Sequence, residues 1–189
     1  MKKTLLSTAL VAVVAAVAMP SASAATGKIT INGVLRAGTC AVTPGAGATG
    51  TAADMIVTLA GVPAASLSSA DSYAETTPFQ VQVGGGASDT CNGQVTRLNF
   101  ENTSGSLINV DGYLDNSATG TASNVGVRLL NGNTHAVINL TNPSDTNNPT
   151  VTPAAGTPGV LKYQAQYYSK AGGATAGTVN TYVMYTVSY

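Results

Sequence analysis

The chain has 189 residues, with eight Lys and Arg against eight Asp and Glu, one histidine and no tryptophan, and only 8% of its residues are charged. This length suits one domain preceded by a short leader. A composition so poor in charge offers no basic patch for a nucleic acid or an anionic membrane surface.

The first 24 residues have the pattern of a secretory signal peptide. Two lysines precede an apolar stretch from Leu5 to Val17, and Ala22-Ser23-Ala24 supplies the small residues of a cleavage site. A membrane anchor is disfavoured because the apolar stretch is short for a span. We therefore expect residues 1–24 to be removed, which leaves 8 − 2 = 6 basic residues against eight acidic ones.

The segment after the cleavage site alternates apolar and polar residues, which is the period of a β-strand. On the alternation alone two interpretations stay open. The segment either begins the first strand of its own domain or pairs with another chain. The positions on its first face are Gly27, Ile29, Ile31, Gly33 and Leu35.

The chain has two cysteines, Cys40 and Cys91. In an exported protein an even number of cysteines predicts a disulfide, and two cysteines leave one pairing. A metal or redox site is disfavoured because the C-x-x-C spacing is absent and His135 is a poor third ligand. We expect a structural disulfide, with no metal and no cofactor.

The remainder of the chain predicts an all-β fold. Short alternating stretches are separated by clusters of Gly, Asn, Ser and Pro, which is typical of a β-sandwich. No stretch after Ala25 keeps a helical period over ten residues. The predicted strands are residues 35–42, 55–59, 78–83, 95–101, 110–115, 125–130, 135–140, 161–168 and 179–189, and the stretches 44–53 and 145–158 are predicted as loops.

The last predicted strand, residues 179–189, alternates most regularly. Strand-forming sequence near both ends of the secreted chain would let one copy pair with other copies at both ends. This arrangement favours a polymer subunit over an enzyme. The positions on one face of this strand are Val179, Thr181, Val183, Tyr185, Val187 and Tyr189.

No residue pattern predicts catalysis. His135 lies in a predicted strand and is interpreted as a surface residue. Asp111 and Asp115 would lie about 13 Å apart along a strand, which is wide for a catalytic carboxylate pair. The three glycines from Gly84 lack the Lys and Ser or Thr of a phosphate loop. We expect no catalytic residue.

Several segments together resemble the chaperone–usher pilins of the type 1 fimbrial family. The resemblance covers most of the secreted chain and depends on the order of the segments. The family usually has a tyrosine second from the end, whereas Tyr189 is last here, so the register of the last strand stays open. The matching segments are residues 29–35 followed by Cys40, residues 77–83 leading to Cys91, residues 124–130 (the N-V-G-[VI]-x-[IL] strand), and residues 163–168 with the closing strand.

The resemblance implies an incomplete immunoglobulin-like β-sandwich that is completed by a donor strand from a neighbouring subunit. Residues 25–35 would be the N-terminal donor-strand extension and residues 36–189 the pilin domain. A periplasmic chaperone would fill the open groove before assembly. The implied donor residues are Gly27, Ile29, Ile31, Gly33 and Leu35, and the implied chaperone-contacting residues of the C-terminal strand are Val183, Tyr185, Val187 and Tyr189.

The implied function is that of a structural subunit of a surface fimbria, with neither a cofactor nor a nucleic-acid partner. Its partners would be copies of itself and other pilins, a periplasmic chaperone and an outer-membrane usher. After export through the periplasm it would lie on the outer surface of a Gram-negative bacterium. The alternative is a minor or adaptor subunit, or an adhesin that reaches a host surface receptor through the assembled pilus.

Overall fold

The structure, a computed structural model, describes residues 39–189, and the regular secondary structure in this part of the chain is almost entirely β-strand. The predicted signal peptide and donor segment lie outside the described residues. No helix in the described part is long and apolar enough to cross a membrane. The strands are β1 (Val42–Pro44), β2 (Thr49–Gly50), β3 (Met55–Ile56), β4 (Ser72–Val83), β5 (Arg97–Phe100), β6 (Leu114–Asp115), β7 (Gly126–Asn131), β8 (Gly159–Ser169) and β9 (Tyr185–Ser188), with one 3-10 helix at Ala64–Leu67.

The first layer is a five-stranded antiparallel sheet in the order β1-β4-β8-β7-β6. The two longest strands, β4 and β8, pair along their whole length, from Ser72 opposite Ser169 to Val83 opposite Gly159. The register shifts at Glu75, whose φ of 52° places it in the left-handed region. Such a bulge increases the local twist of the sheet.

The second layer contains β5 and β9, which pair antiparallel from Arg97 opposite Ser188 to Phe100 opposite Tyr185. The two layers share one hydrophobic core, at whose centre Tyr163 of β8 is 1% exposed. Its ring stacks on Phe79 at 5.4 Å and meets the ring of Phe100 edge-on at 5.9 Å. The core therefore joins the large sheet to β5, as expected for a β-sandwich.

The predicted strands that form this core are confirmed, although their ends differ. Strands β4, β5, β7, β8 and β9 each overlap a predicted strand. The predicted alternation along β8 is confirmed from Leu161 to Ala165, because Leu161, Tyr163 and Ala165 are buried while Lys162 is exposed. It does not extend to Gln166, which is buried although it was predicted on the outer face. The first six residues of β4 were not predicted as strand. In these six residues, polar side chains and the bulge obscure the apolar–polar alternation by which a strand is recognised in a sequence.

Two predicted strands are wrong. Residues 135–140 form no strand, because His135 closes a turn at a φ of 60° and the following residues contact β7 through single backbone hydrogen bonds. Of residues 110–115 only Leu114 and Asp115 form a strand. Gly112, at a φ of 84°, lies in a turn whose amide donates to the carbonyl of Asn109.

The N-terminal predictions also need correction. The structure describes only the end of the predicted strand 35–42, and β1 begins at Val42. The predicted loop 44–53 contains β2, which pairs with β3 in a short hairpin. The expected disulfide is present: Cys40 and Cys91 are joined with their Cα atoms 5.4 Å apart. It connects the residues before β1 to the loop between β4 and β5.

A buried polar pair attaches the loop before β8 to the core. The hydroxyl of Tyr163 donates to Oδ1 of Asn148 at 3.2 Å, and Nδ2 of Asn148 donates to the carbonyl oxygen of Leu98 at 2.7 Å. Burial raises the pKa of Tyr163 well above its usual value, so the phenol keeps the proton that it donates.

We expect Asn148→Ala to lower the free energy of unfolding by about 1–3 kcal/mol, because it leaves the Tyr163 hydroxyl and the Leu98 carbonyl buried without partners. Chemical denaturation of the full chain and the variant measures the difference. The control is Asn133→Ala, which replaces an exposed asparagine and should change the free energy by less than about 0.5 kcal/mol. Equal effects of the two substitutions would show that the buried pair contributes nothing to the free energy of unfolding.

Candidate functional site

Within the described part of the chain, the sandwich is open between two segments, which we call the first edge (residues 55–62) and the C-terminal edge (residues 179–189). Both run over the hydrophobic core with alternate side chains half-buried. The space between them is called the groove. Among residues 39–189, no backbone hydrogen bond joins the two edges.

The C-terminal edge directs its odd-numbered residues towards the core. Val183, Tyr185 and Val187 are half-buried and pack against the core cluster. On the opposite face Tyr182 and Met184 are 53% and 62% exposed. The alternation in the sequence therefore identifies the inward face correctly.

The backbone of the C-terminal edge is paired on one side. The amide of Glu101 donates to the carbonyl of Met184, and the amide of Ser117 donates to the carbonyl of Asn180. Because successive residues of an antiparallel strand direct their backbone groups to opposite sides, those of Val183, Tyr185 and Val187 point into the groove. In the part of the chain that the structure describes, these groups have no hydrogen-bond partner.

The first edge also has an inward face against the core and an exposed opposite face. Met55, Val57 and Leu59 are half-buried against the core, while Ile56 between them is 52% exposed. Strand β3 pairs with β2 only as far as Ile56. Beyond it, residues 57–62 make no backbone hydrogen bond to any other described residue. The groove is thus bordered on both sides by strand-like backbone whose groove-side groups have no backbone partner among residues 39–189.

The C-terminal edge is held near the first edge at both ends of the groove. At one end the hydroxyl of Tyr185 donates to the carbonyl oxygen of Ala52, three residues before the first edge, at 2.5 Å. At the other end a cavity of about 160 Å³ is lined by Val62 of the first edge, Val179 of the C-terminal edge and Tyr167 of β8. Partial burial raises the pKa of both Tyr167 and Tyr185, so these phenols remain neutral.

An apolar groove between two unpaired edges has one simple complement, which is another β-strand. Such a strand would pair its backbone with both edges and would cover the half-buried side chains with its own alternate residues. No charged side chain lines the cavity at its end. The arrangement can therefore bind an extended apolar segment.

The sequence-predicted site residues are distributed as follows. Val183, Tyr185 and Val187 lie on the C-terminal edge, and Tyr189, 41% exposed, accepts a hydrogen bond from the Thr90 hydroxyl at 2.9 Å. The first edge was missed as part of the site, although its alternation was visible in the sequence. The predicted donor residues, which lie outside the described residues, are Gly27, Ile29, Ile31, Gly33 and Leu35.

The residues considered as catalytic candidates make hydrogen-bond contacts with neighbouring side chains. Nδ1 of His135 lies 2.9 Å from Oε1 of Gln164 at the surface. The carboxylate of Asp115 accepts a hydrogen bond from Asn109. Within residues 39–189 there is no group of three or more His, Cys, Asp or Glu that could hold a metal ion.

The chain is similar in sequence to proteins of bacterial fimbriae. The sequence model of the family described as fimbrial protein matches residues 26–189. The F17 fimbrial protein of Escherichia coli is 30% identical over 177 residues, which cover 94% of each chain. The major fimbrial subunit SMF-1 of Stenotrophomonas maltophilia is 32% identical over 173 residues, which cover 89% of this chain and 95% of the relative.

Among solved structures, the chain resembles a Burkholderia pseudomallei antigen and type I fimbria protein. The TM-score is 0.48 at 20% sequence identity, and the match covers 79% of this chain and 97% of that one.

Proposed function

Since the chain belongs to the fimbrial protein family and is a structural subunit of an extracellular fimbria, we propose that its copies polymerise by donor-strand exchange. The observation that carries the proposal is the groove between the first edge and the C-terminal edge. Its occupant in the fibre is residues 25–35 of the neighbouring copy.

The alternation of residues 25–35 fits the chemistry of the groove. Ile29, Ile31 and Leu35 supply the apolar side chains that would cover the half-buried residues of both edges. Each such side chain contributes about 1.5–3 kcal/mol when it is fully removed from water. Gly33 falls on the same face, at a position where two backbones can approach closely without a side chain between them.

Before assembly the groove must be protected, because an open apolar edge promotes aggregation. We infer that residues 1–24 direct export and are removed, and that a periplasmic chaperone lends a strand to the same groove. Its contacts on this chain would be Val183, Tyr185, Val187 and Tyr189. An outer-membrane usher would then exchange the chaperone for the next subunit. The homologous proteins are fimbrial structural proteins, and we propose no catalytic role.

We expect Val183→Lys to prevent assembly and chaperone capture, because an ammonium group would be placed on the half-buried face of the C-terminal edge. Burying an unpaired charge is strongly unfavourable. The control is Met184→Lys, which adds the same group to the exposed face of the next residue. Periplasmic yield and fibre length measure both variants. Fibres of equal length from the two variants would show that the inward face of this edge is not covered.

A further inference from the structure

A second cavity lies away from the groove, on the outer face of the five-stranded sheet. Its volume is about 270 Å³, and the turn around Gly112 and the loop after His135 form part of its wall. Two tyrosines, Tyr113 and Tyr168, line it together with Arg128 of β7. The groove uses none of these residues.

The aromatic and cationic side chains of this cavity hold one another in place. The guanidinium of Arg128 lies 4.5 Å from the ring centre of Tyr73 and 5.0 Å from that of Tyr168. Its Nε donates to Oε1 of Gln166 at 2.8 Å. The ring of Tyr113 meets Tyr168 edge-on at 5.0 Å. The rings and the guanidinium are therefore positioned before any ligand arrives, which reduces the entropy lost on binding.

The cavity presents polar groups that the fold leaves available. Oδ1 of Asn139 accepts hydrogen bonds from Thr141, so its amide NH₂ remains as a donor. The carboxylate of Asp111 and the terminal N–H groups of Arg128 make no hydrogen bond to another described residue. By contrast, the hydroxyl of Tyr168 donates to Asp71 at 2.6 Å.

The balance of charge disfavours a strongly anionic ligand. Arg128 and Lys170 are the basic groups at the cavity, and Asp111 and Asp145 the acidic ones. The ammonium of Lys170 is 3.6 Å from the carboxylate of Asp71, which lies next to the cavity. The acidic groups thus at least balance the basic ones, so the cavity has no net positive charge that would favour an anion over a neutral ligand.

We propose that this cavity binds one ring of a neutral saccharide. Each sugar hydroxyl both donates and accepts, which suits a site with the Asp111 carboxylate as acceptor and Arg128 and Asn139 as donors. The rings of Tyr113 and Tyr168 provide the apolar surface for the C–H groups of the sugar. The volume lies below the roughly 300–1,000 Å³ of sites for drug-sized ligands, so it suits a single ring.

Ligand-observed saturation-transfer NMR on purified fibres of the secreted chain tests the proposal. The probes are the methyl glycosides of glucose, galactose, mannose and N-acetylglucosamine. We expect saturation transfer to at least one of these glycosides. The variant Arg128→Lys keeps the positive charge but loses the planar guanidinium with its paired N–H donors, so it should bind that glycoside at least tenfold more weakly. Asp111→Ala, which replaces an exposed side chain, should weaken the binding of the same glycoside to a similar degree.

The matched control is Lys162→Gln, which removes an exposed charge from β8 outside the cavity and should leave binding unchanged. Absence of transfer to all four glycosides would overturn the proposal. It would also be overturned if N-acetylneuraminic acid bound and no neutral glycoside did. Unchanged binding in both Arg128→Lys and Asp111→Ala would show that the sugar occupies another site.

Discussion

Deletion of residues 25–35 should abolish fibre assembly while it leaves a pilin domain that a cognate chaperone still captures. The reason is that the deletion removes the strand that would fill the groove of the next copy, whereas both edges of the groove remain. Without that strand, three apolar side chains and a full row of backbone hydrogen bonds are lost from each junction between copies.

Electron microscopy of surface fibres and the ladder of denaturant-resistant oligomers measure this result. A control that replaces Thr30 and Asn32 by alanine changes only the opposite face of the segment and should still assemble. Gly33→Trp should behave like the deletion, because overpacking at a close approach between strands holds the backbones apart. Long fibres from the truncated chain would refute donor-strand exchange through this segment.

The second large effect concerns the disulfide. Cys40→Ser should lower the free energy of unfolding by roughly 4 kcal/mol, because the bond between Cys40 and Cys91 closes a loop with a sequence separation of 51 residues. That loss is a large share of the roughly 5–15 kcal/mol that stabilises a typical domain. We therefore expect a much lower periplasmic yield.

Urea denaturation of the secreted chain, at a dilution that keeps the subunit monomeric, measures the change with and without the substitution. The double variant Cys40→Ser with Cys91→Ser should lose about as much as the single variant, since both remove the same bond. If the single variant unfolded at the same urea concentration as the parent chain, the disulfide would not be a stabilising element.

The parts of the fold that could be predicted are those that follow from local alternation. The period of two is clear along the C-terminal edge, which has one face against the core and one exposed face, and along β8 from Leu161 to Ala165. The pairing of Cys40 with Cys91 needed only the cysteine count and the export signal. The predicted strands at 110–115 and 135–140 fail where Gly112 and His135 adopt positive φ values.

The groove was harder to predict, because it depends on which backbone groups lack partners. The sequence shows that residues 55–59 alternate, but it does not show that the strand pairing ends at Ile56. Nor does it show that Val62 and Val179 meet around one cavity. Such contacts depend on tertiary packing, and only the resemblance to a known family pointed to an incomplete sandwich in advance. The cavity around Arg128 could not be predicted from the sequence either, because it too depends on tertiary packing.

Solid-state NMR on fibres grown from a mixture of ¹³C-labelled and ¹⁵N-labelled chains tests the central claim most directly. Only contacts between different copies produce ¹⁵N–¹³C cross-peaks in such a sample. Our account predicts cross-peaks between residues 29–35 of one copy and residues 183–187 of another. Fibres in which residues 29–35 contact the C-terminal edge only within their own copy would contradict it.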